Sequence, residues 1–190
     1  MRSNESFNMK FYNSYLKQEV ICRIDEAKYN DYIEAMISSK ISEPIDGFCR
    51  LSYVEIKEED SKSILAFCVD FKNTENKISL DVYIALLETH TQRQGYGTML
   101  FNAMLRYINQ RVIASIGENA VLKSIRGELS TKDKYLGNWK KSIPFYKKLE
   151  ECLDNQFQIL FKDEFGNIFE NELFEEQVDS GYFIFEKVES

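Results

Sequence analysis

The stretch Ile78-Ser-Leu-Asp-Val-Tyr-Ile-Ala-Leu-Leu87, running on into Glu88-Thr-His-Thr-Gln-Arg-Gln-Gly-Tyr-Gly-Thr98, decides how the rest of the chain is read. Its first part is long and apolar enough to be a central, largely buried strand. Its second part is polar and carries two glycines. The residues that follow place Leu100, Met104, Tyr107, Ile108 and Val112 on one face of a helix. Strand, glycine loop and helix are therefore contiguous. A helix start exposes several amides with no partner inside the helix, and the aligned peptide dipoles add partial positive charge at the same end. Without a Cβ at Gly95 and Gly97, a pyrophosphate can approach the backbone closely. The amides of Gln94, Gly95, Tyr96, Gly97 and Thr98 would be its donors. Glycines that merely make a tight turn are the plainer reading of the same spacing. The G-x-x-x-x-G-K-[ST] loop is missing, and there is no G-x-G-x-x-G, since Leu100 stands three residues beyond Gly97.

Upstream, Phe48 to Ile56 alternates, Lys57-Glu-Glu-Asp-Ser-Lys62 reads as a charged turn, and Ser63 to Phe71 reads as a second strand of an antiparallel hairpin. Tyr29 to Ile41 has near-helical spacing of Tyr32, Ile33, Met36, Ile37 and Ile41, ended by the breakers of Ser42-Glu-Pro-Ile-Asp-Gly47. Before it, Tyr15 to Ile24 has the content of a first strand. Downstream, Val121 to Leu129 reads as a strand, and Ser142 as the cap of a helix over 143–151 that takes Pro144 in its first turn. Phe157 to Phe161 and Tyr182 to Lys187 are two further strand candidates. The acidic segment between them, with Glu164, Glu170, Glu172, Glu175 and Glu176, reads as a solvated surface and contains a turn with a short hairpin at 165–169.

The chain has 190 residues, one domain of ordinary size. Lys and Arg number 24 against 31 Asp and Glu, a net charge of −7, so a general grip on nucleic-acid phosphates is not expected. No apolar run approaches the roughly 18 residues that cross a bilayer, and the first ten residues do not read as a secretory signal, so neither membrane nor export is expected and the setting reads as cytoplasmic. The four cysteines, Cys22, Cys49, Cys68 and Cys152, form no C-x-x-C pair and read as reduced thiols. With His90 as the single histidine, no metal site of the usual Cys/His type is expected.

Gln92-x-x-Gly95-x-Gly97, between a strand ending near Leu87-Glu-Thr and an amphipathic helix, resembles the acyl-CoA signature of the GNAT superfamily of N-acetyltransferases. Val121 to Leu129 followed by Ile143-Pro-Phe-Tyr-Lys-Lys-Leu149 is similar to the family's fifth strand and its following helix, with Glu150-Glu-Cys-Leu153 where the family often has G-F. The likeness covers about residues 45–160 well, the N-terminal part loosely and the acidic segment with the last strand, 161–190, poorly. It implies an α/β (α+β) fold over residues 1–190 as a single domain: a mixed, mostly antiparallel central sheet flanked by helices and splayed between its fourth and fifth strands.

The resemblance further implies acetyl-CoA as acyl donor, its pantetheine arm bonded to backbone near Leu87 and Thr89 and its pyrophosphate on the loop of Gln92, Arg93, Gln94, Gly95, Tyr96, Gly97 and Thr98. Tyr146, the tyrosine of the family's F-Y pair, becomes the candidate acid that protonates the departing thiolate. A phenol with pKa near 10 carries that proton at neutral pH. The plainer reading of Tyr146 is a core aromatic sharing a helical face with Trp139 and Ile143. Asn138 resembles a cofactor-contacting asparagine, with a turn or cap residue as the alternative. Lys140, Lys141, Lys147 and Lys148 could meet a 3′-phosphate or simply form a solvated helix face. Glu88 and His90 stand at the strand end, and no general base is assigned. The acceptor is a primary amine on a small molecule or a protein, cationic by the chain's charge balance, and the protein is expected as a monomer or homodimer. The contrasting expectation is a GNAT-like module that binds acyl-CoA without turnover.

Overall fold

The computed structural model describes residues 7–26, 51–57, 62–74, 77–89, 93–129, 131–154, 156–169 and 178–188. The helix expected over Tyr29 to Ile41, Cys49, His90, Gln92 and most of the acidic segment lie outside them. Among the described residues the fold is mixed α+β. Nine strands, β1 (Phe7–Asn13), β2 (Gln18–Glu26), β3 (Leu51–Lys57), β4 (Lys62–Thr74), β5 (Lys77–Glu88), β6 (Ala120–Leu129), β7 (Phe157–Asp163), β8 (Ile168–Phe169) and β9 (Gly181–Lys187), follow the order β1-β2-β3-β4-β5-β6-β9-β7-β8. The pairings β1 with β2, β2 with β3, β3 with β4, β6 with β9, β7 with β9 and β7 with β8 are antiparallel. The helices are α1 (Tyr96–Tyr107), α2 (Thr131–Tyr135) and α3 (Trp139–Leu149).

The chain divides into two compact units, Met1–Leu80 with Ile84–Val121, and Asp81–Tyr83 with Leu122–Ser190. In the first, the predicted hairpin is present as β3 and β4, with Val54 opposite Leu65 and Ile56 opposite Ser63. The run from Ile64 to Val69 is buried throughout, as a strand covered on both faces must be. The long apolar run becomes β5, in which Leu80, Val82 and Ile84 are buried. The first strand expected over Tyr15 to Ile24 is β2, which starts only at Gln18, and a further strand outside that expectation, β1, precedes it. Residues 14–17 form the turn between β1 and β2, because Phe7, Met9, Phe11 and Asn13 alternate inward while Asn8, Lys10 and Tyr12 face out. Helix α1 packs on β2, β3 and β4 with Leu100, Phe101, Ala103 and Met104 buried, and it continues through a π-helical segment, Ile108–Ile113. Beneath it the buried Cys22 thiol is pushed up to about 12 by desolvation, which the Arg106 charge opposes only in part.

The second unit shows how one alternating sheet makes a core face. Ile125 stands opposite Phe185, which stands opposite Ile159, and Gly127 stands opposite Phe183, which stands opposite Phe161. Phe161, Phe183 and Phe185 are buried, and burying each such ring contributes roughly 1.5–3 kcal/mol. The other face is polar and runs from the buried Ser124 through the half-buried Tyr182, Glu186 and Lys162 to the exposed Arg126 and Glu128, with Lys162 Nζ 2.7 Å from Glu186 Oε1. Turn residues 164–167 and β8 form the short hairpin expected at 165–169. Desolvation pushes the Asp163 carboxyl up, but hydrogen bonds from Asn167, Phe165 and Gly166 outweigh it and hold the group below its usual range.

Helix α3 begins earlier than its sequence suggests. Asn138 is its N-cap position, its carbonyl accepting from the amides of Lys141 and Ser142, each at 2.9 Å. Ser142 is therefore not the cap. Its hydroxyl bonds back to the Asn138 carbonyl at 3.0 Å, inside the helix. Trp139, fully buried, draws the extra turn in, and Pro144 becomes an interior helix residue at an exposed position.

Candidate functional site

The glycine loop lies wholly in the first unit. Beta strand β5 ends at Glu88, with Leu87 and Thr89 half-buried at its end, and the chain is described again from Arg93. Arg93 is exposed with φ +63° and Gly95 has φ +77°, so two residues in the left-handed region turn the backbone sharply into α1. Gly95 is the N-cap residue and brings no side chain to the helix end, and the first turn holds no acidic residue. The first helical bond runs from the Met99 amide to the Gly95 carbonyl at 3.0 Å. Gln94 and Gly95 are half-buried, Tyr96 and Gly97 buried, and Thr98 half-buried. The arrangement is a helix start that carries positive partial charge, with no acidic side chain in its first turn and an exposed guanidinium next to it. It can hold an anion.

The loop is held from a direction that its own sequence does not announce. Asn13, the last inward residue of β1 and only 2% exposed, donates from Nδ2 to the Gln94 carbonyl at 2.8 Å and touches Met99 Sδ at 3.5 Å. Its Oδ1 accepts from the amides of Tyr15 at 2.9 Å and Leu16 at 3.1 Å, which closes the β1–β2 turn. The Tyr15 ring lies where a Cβ on Gly95 would point, at 3.2 and 3.3 Å, so a side chain there would press on that ring as well as strain the backbone at φ +77°. A groove of about 680 Å³ borders the loop through Gln94 and Tyr96 and runs along Leu16, Gln18, Arg23 and Glu55. Asn-Ser-Tyr-Leu at 13–16 carries a local turn signal. Nothing local in it points to a bond with a residue 81 positions on.

Tyr146 and Asn138 belong to the second unit. Tyr146 is half-buried on α3, its ring stacked on Phe183 with centroids 3.8 Å apart and planes 20° apart, and set edge-on to Phe145 at 5.3 Å. Asn138 opens α3 as a cap position. Lys140, Lys141, Lys147 and Lys148 are exposed on that helix. In the same unit the Ser124 hydroxyl donates to Asp81 Oδ1 at 2.5 Å and the Arg126 guanidinium stands 5.9 Å from the Tyr83 ring centre. Lys134 reaches the Val178 carbonyl at 2.7 Å and Asp179 Oδ1 at 3.0 Å, and its ammonium stands 5.7 Å from the Trp139 ring centre.

Among the described residues no group of three or more His, Cys, Asp or Glu side chains is placed to hold a metal ion. No described helix is long and apolar enough to cross a membrane. No model of a known protein family matches the chain, and no curated protein does.

Proposed function

We propose that the protein is an acetyl-CoA-dependent N-acetyltransferase of the GNAT type, moving an acetyl group to a primary amine by direct transfer in a ternary complex. The observation that carries the reading is the left-handed Gly95 between β5 and α1, which turns a helix start with no acid in its first turn toward an incoming anion. The donor set fits a diphosphate: backbone N–H groups of Gln94 to Thr98, with Arg93 as neighbouring cation and Gln92 completing the motif. The strand–loop–helix–strand–helix order of β5, α1, β6 and α3 supports the resemblance independently of the glycines. A sheet splayed between β5 and β6, which correspond to the fourth and fifth strands of the family, a cytoplasmic setting and a monomeric or dimeric state belong to the same proposal.

In this reading the thioester supplies an activated acetyl group, and the protein's part is to hold and orient it. Backbone at Leu87 and Thr89 holds the pantetheine amides, with the Leu87 N–H as donor to the thioester oxygen, where negative charge grows as the amine adds. The amine nitrogen forms the new C–N bond, the C–S bond breaks, and the Tyr146 hydroxyl gives its proton to the departing sulfur, while the proton that the nitrogen sheds on becoming an amide passes through solvent and restores the Tyr146 hydroxyl. Asn138 is the further cofactor contact that the resemblance suggests.

The stacking of Tyr146 on Phe183 favours a second reading, in which that ring is a packing element and the protein binds acyl-CoA as a sensor or interaction module. One experiment separates the two. Acetyl-CoA is titrated calorimetrically, and free thiol is then followed across a panel of primary amines. Amine-dependent thiol release supports the transferase, binding with no such release supports the sensor, and absence of binding removes both.

A further inference from the structure

We propose that Asn13 is a positioning residue for the carrier loop, and that strand β1 is part of the scaffold of that site; this rests on the acyl-CoA reading above. The argument starts from the inward side of β1. Phe7 lies beneath the Arg111 guanidinium at 4.8 Å and 6.2 Å from the Tyr107 ring, and Phe11 lies beneath Arg106 at 4.6 Å. Asn13 meets Gln94 and Met99 at the opposite end of the helix. The strand thus runs back along α1 and its π-helical extension, from their C-terminal end to the loop.

The lengths agree. Six residues of strand from Phe7 to Asn13 span about 20 Å, and twelve residues of helix from Met99 to Arg111 span about 18 Å. Strand and helix are thus of matching length, and the last inward residue of β1, Asn13, comes to the Gln94 carbonyl. Turning that carbonyl toward Asn13 sets the orientation of the Gln94–Gly95 peptide plane, and so directs the Gly95 N–H that a diphosphate would meet. The asparagine is suited to this because it can donate and accept at once. Its Nδ2 serves the loop while its Oδ1 closes the β1–β2 turn, so the turn and the loop are locked by one side chain with no water between them.

Asn13→Asp isolates the bond in question. It keeps an oxygen for the Tyr15 and Leu16 amides, removes the donor to Gln94, and sets a carboxylate oxygen against a carbonyl. Asn13→Ala removes both functions, and Phe11→Leu loosens β1 on α1 while leaving Asn13 in place. Each purified full-length variant is followed by thermal melting, by amide exchange over residues 93–99, and by calorimetric titration with CoA. The expected result is that both Asn13 variants exchange those amides at least tenfold faster and bind CoA at least tenfold more weakly. Phe11→Leu is expected to lose comparable thermal stability yet keep its affinity within about threefold.

Equal CoA affinity in Asn13→Asp and the wild-type protein overturns the proposal, as does an affinity loss in Phe11→Leu matching that of Asn13→Ala. Unchanged loop exchange in folded Asn13→Asp overturns it as well. If the wild-type protein takes up no CoA, the acyl-CoA reading falls by itself, and the exchange data still decide whether Asn13 fixes the loop.

Discussion

At the scale of single residues, two positions separate backbone geometry from chemistry. Gly95 has φ +77°, a region that costs a residue with a Cβ about 1–2 kcal/mol, and the Tyr15 ring already occupies the space at 3.2 Å. Tyr15 is 64% exposed and can swing aside, so the backbone term dominates. Gly95→Ala should therefore lower unfolding free energy by about 1–2 kcal/mol in urea titration, and should weaken CoA binding by distorting the amides after it. Tyr146 presents the reverse case. Its ring is committed to the stack on Phe183, which a phenylalanine reproduces, and only the hydroxyl distinguishes the two side chains. Tyr146→Phe should change stability by no more than the ~1 kcal/mol of a single hydrogen bond, leave CoA affinity as it was, and cut the rate of amine-dependent thiol release at least tenfold. A wild-type turnover rate in that variant removes the acid role and leaves the packing role standing.

At the scale of elements, the contrast between β5 and α3 explains what could be read from the chain. The apolar run of β5 and the helical spacing of α1 are local signals, and both elements stand where those signals put them, with the glycine loop between. Helix α3 starts before the position that its local signals mark. Ser142 and Pro144 are strong local marks of a helix beginning, yet burial of Trp139 extends the helix back to Asn138 and leaves both marks inside it. Strand β1 is visible in the alternation of Phe7, Met9, Phe11 and Asn13, but its last inward residue is polar, and its role depends on a partner far along the chain. The support that Asn13 gives the loop is therefore not readable from local pattern. The interior proline carries its own consequence. It gives the helix no amide for the Lys140 carbonyl, a loss near 3 kcal/mol relative to alanine, offset by up to ~1 kcal/mol from its stiffening of the unfolded chain. Pro144→Ala should raise unfolding free energy by about 2 kcal/mol in denaturant titration, and no gain would mean that the helix bends there to satisfy the carbonyl by other means.

At the scale of the whole molecule, the charges of the two proposed substrates act in opposite directions on a protein of net charge −7. A polyanionic carrier approaches against that field, so its binding must come from short-range donors: the loop amides, whose partial charge is fixed in the backbone, and the exposed Arg93 beside them. A cationic amine approaches with the field, which raises its encounter rate. Salt weakens long-range attraction and long-range repulsion alike, since the screening length shrinks from about 30 Å at 0.01 M to about 8 Å at 0.15 M. Raising salt across that range should therefore lower kcat/KM for a polyamine several-fold while leaving kcat/KM for an uncharged-tail amine nearly constant. CoA affinity, where repulsion by the net charge and attraction by the loop are screened together, should move far less than the polyamine's kcat/KM. Initial rates with the two amines at matched CoA saturation measure this directly. An equal response of both amines would mean that acceptor choice is set inside the pocket and that the acidic surface has no part in it.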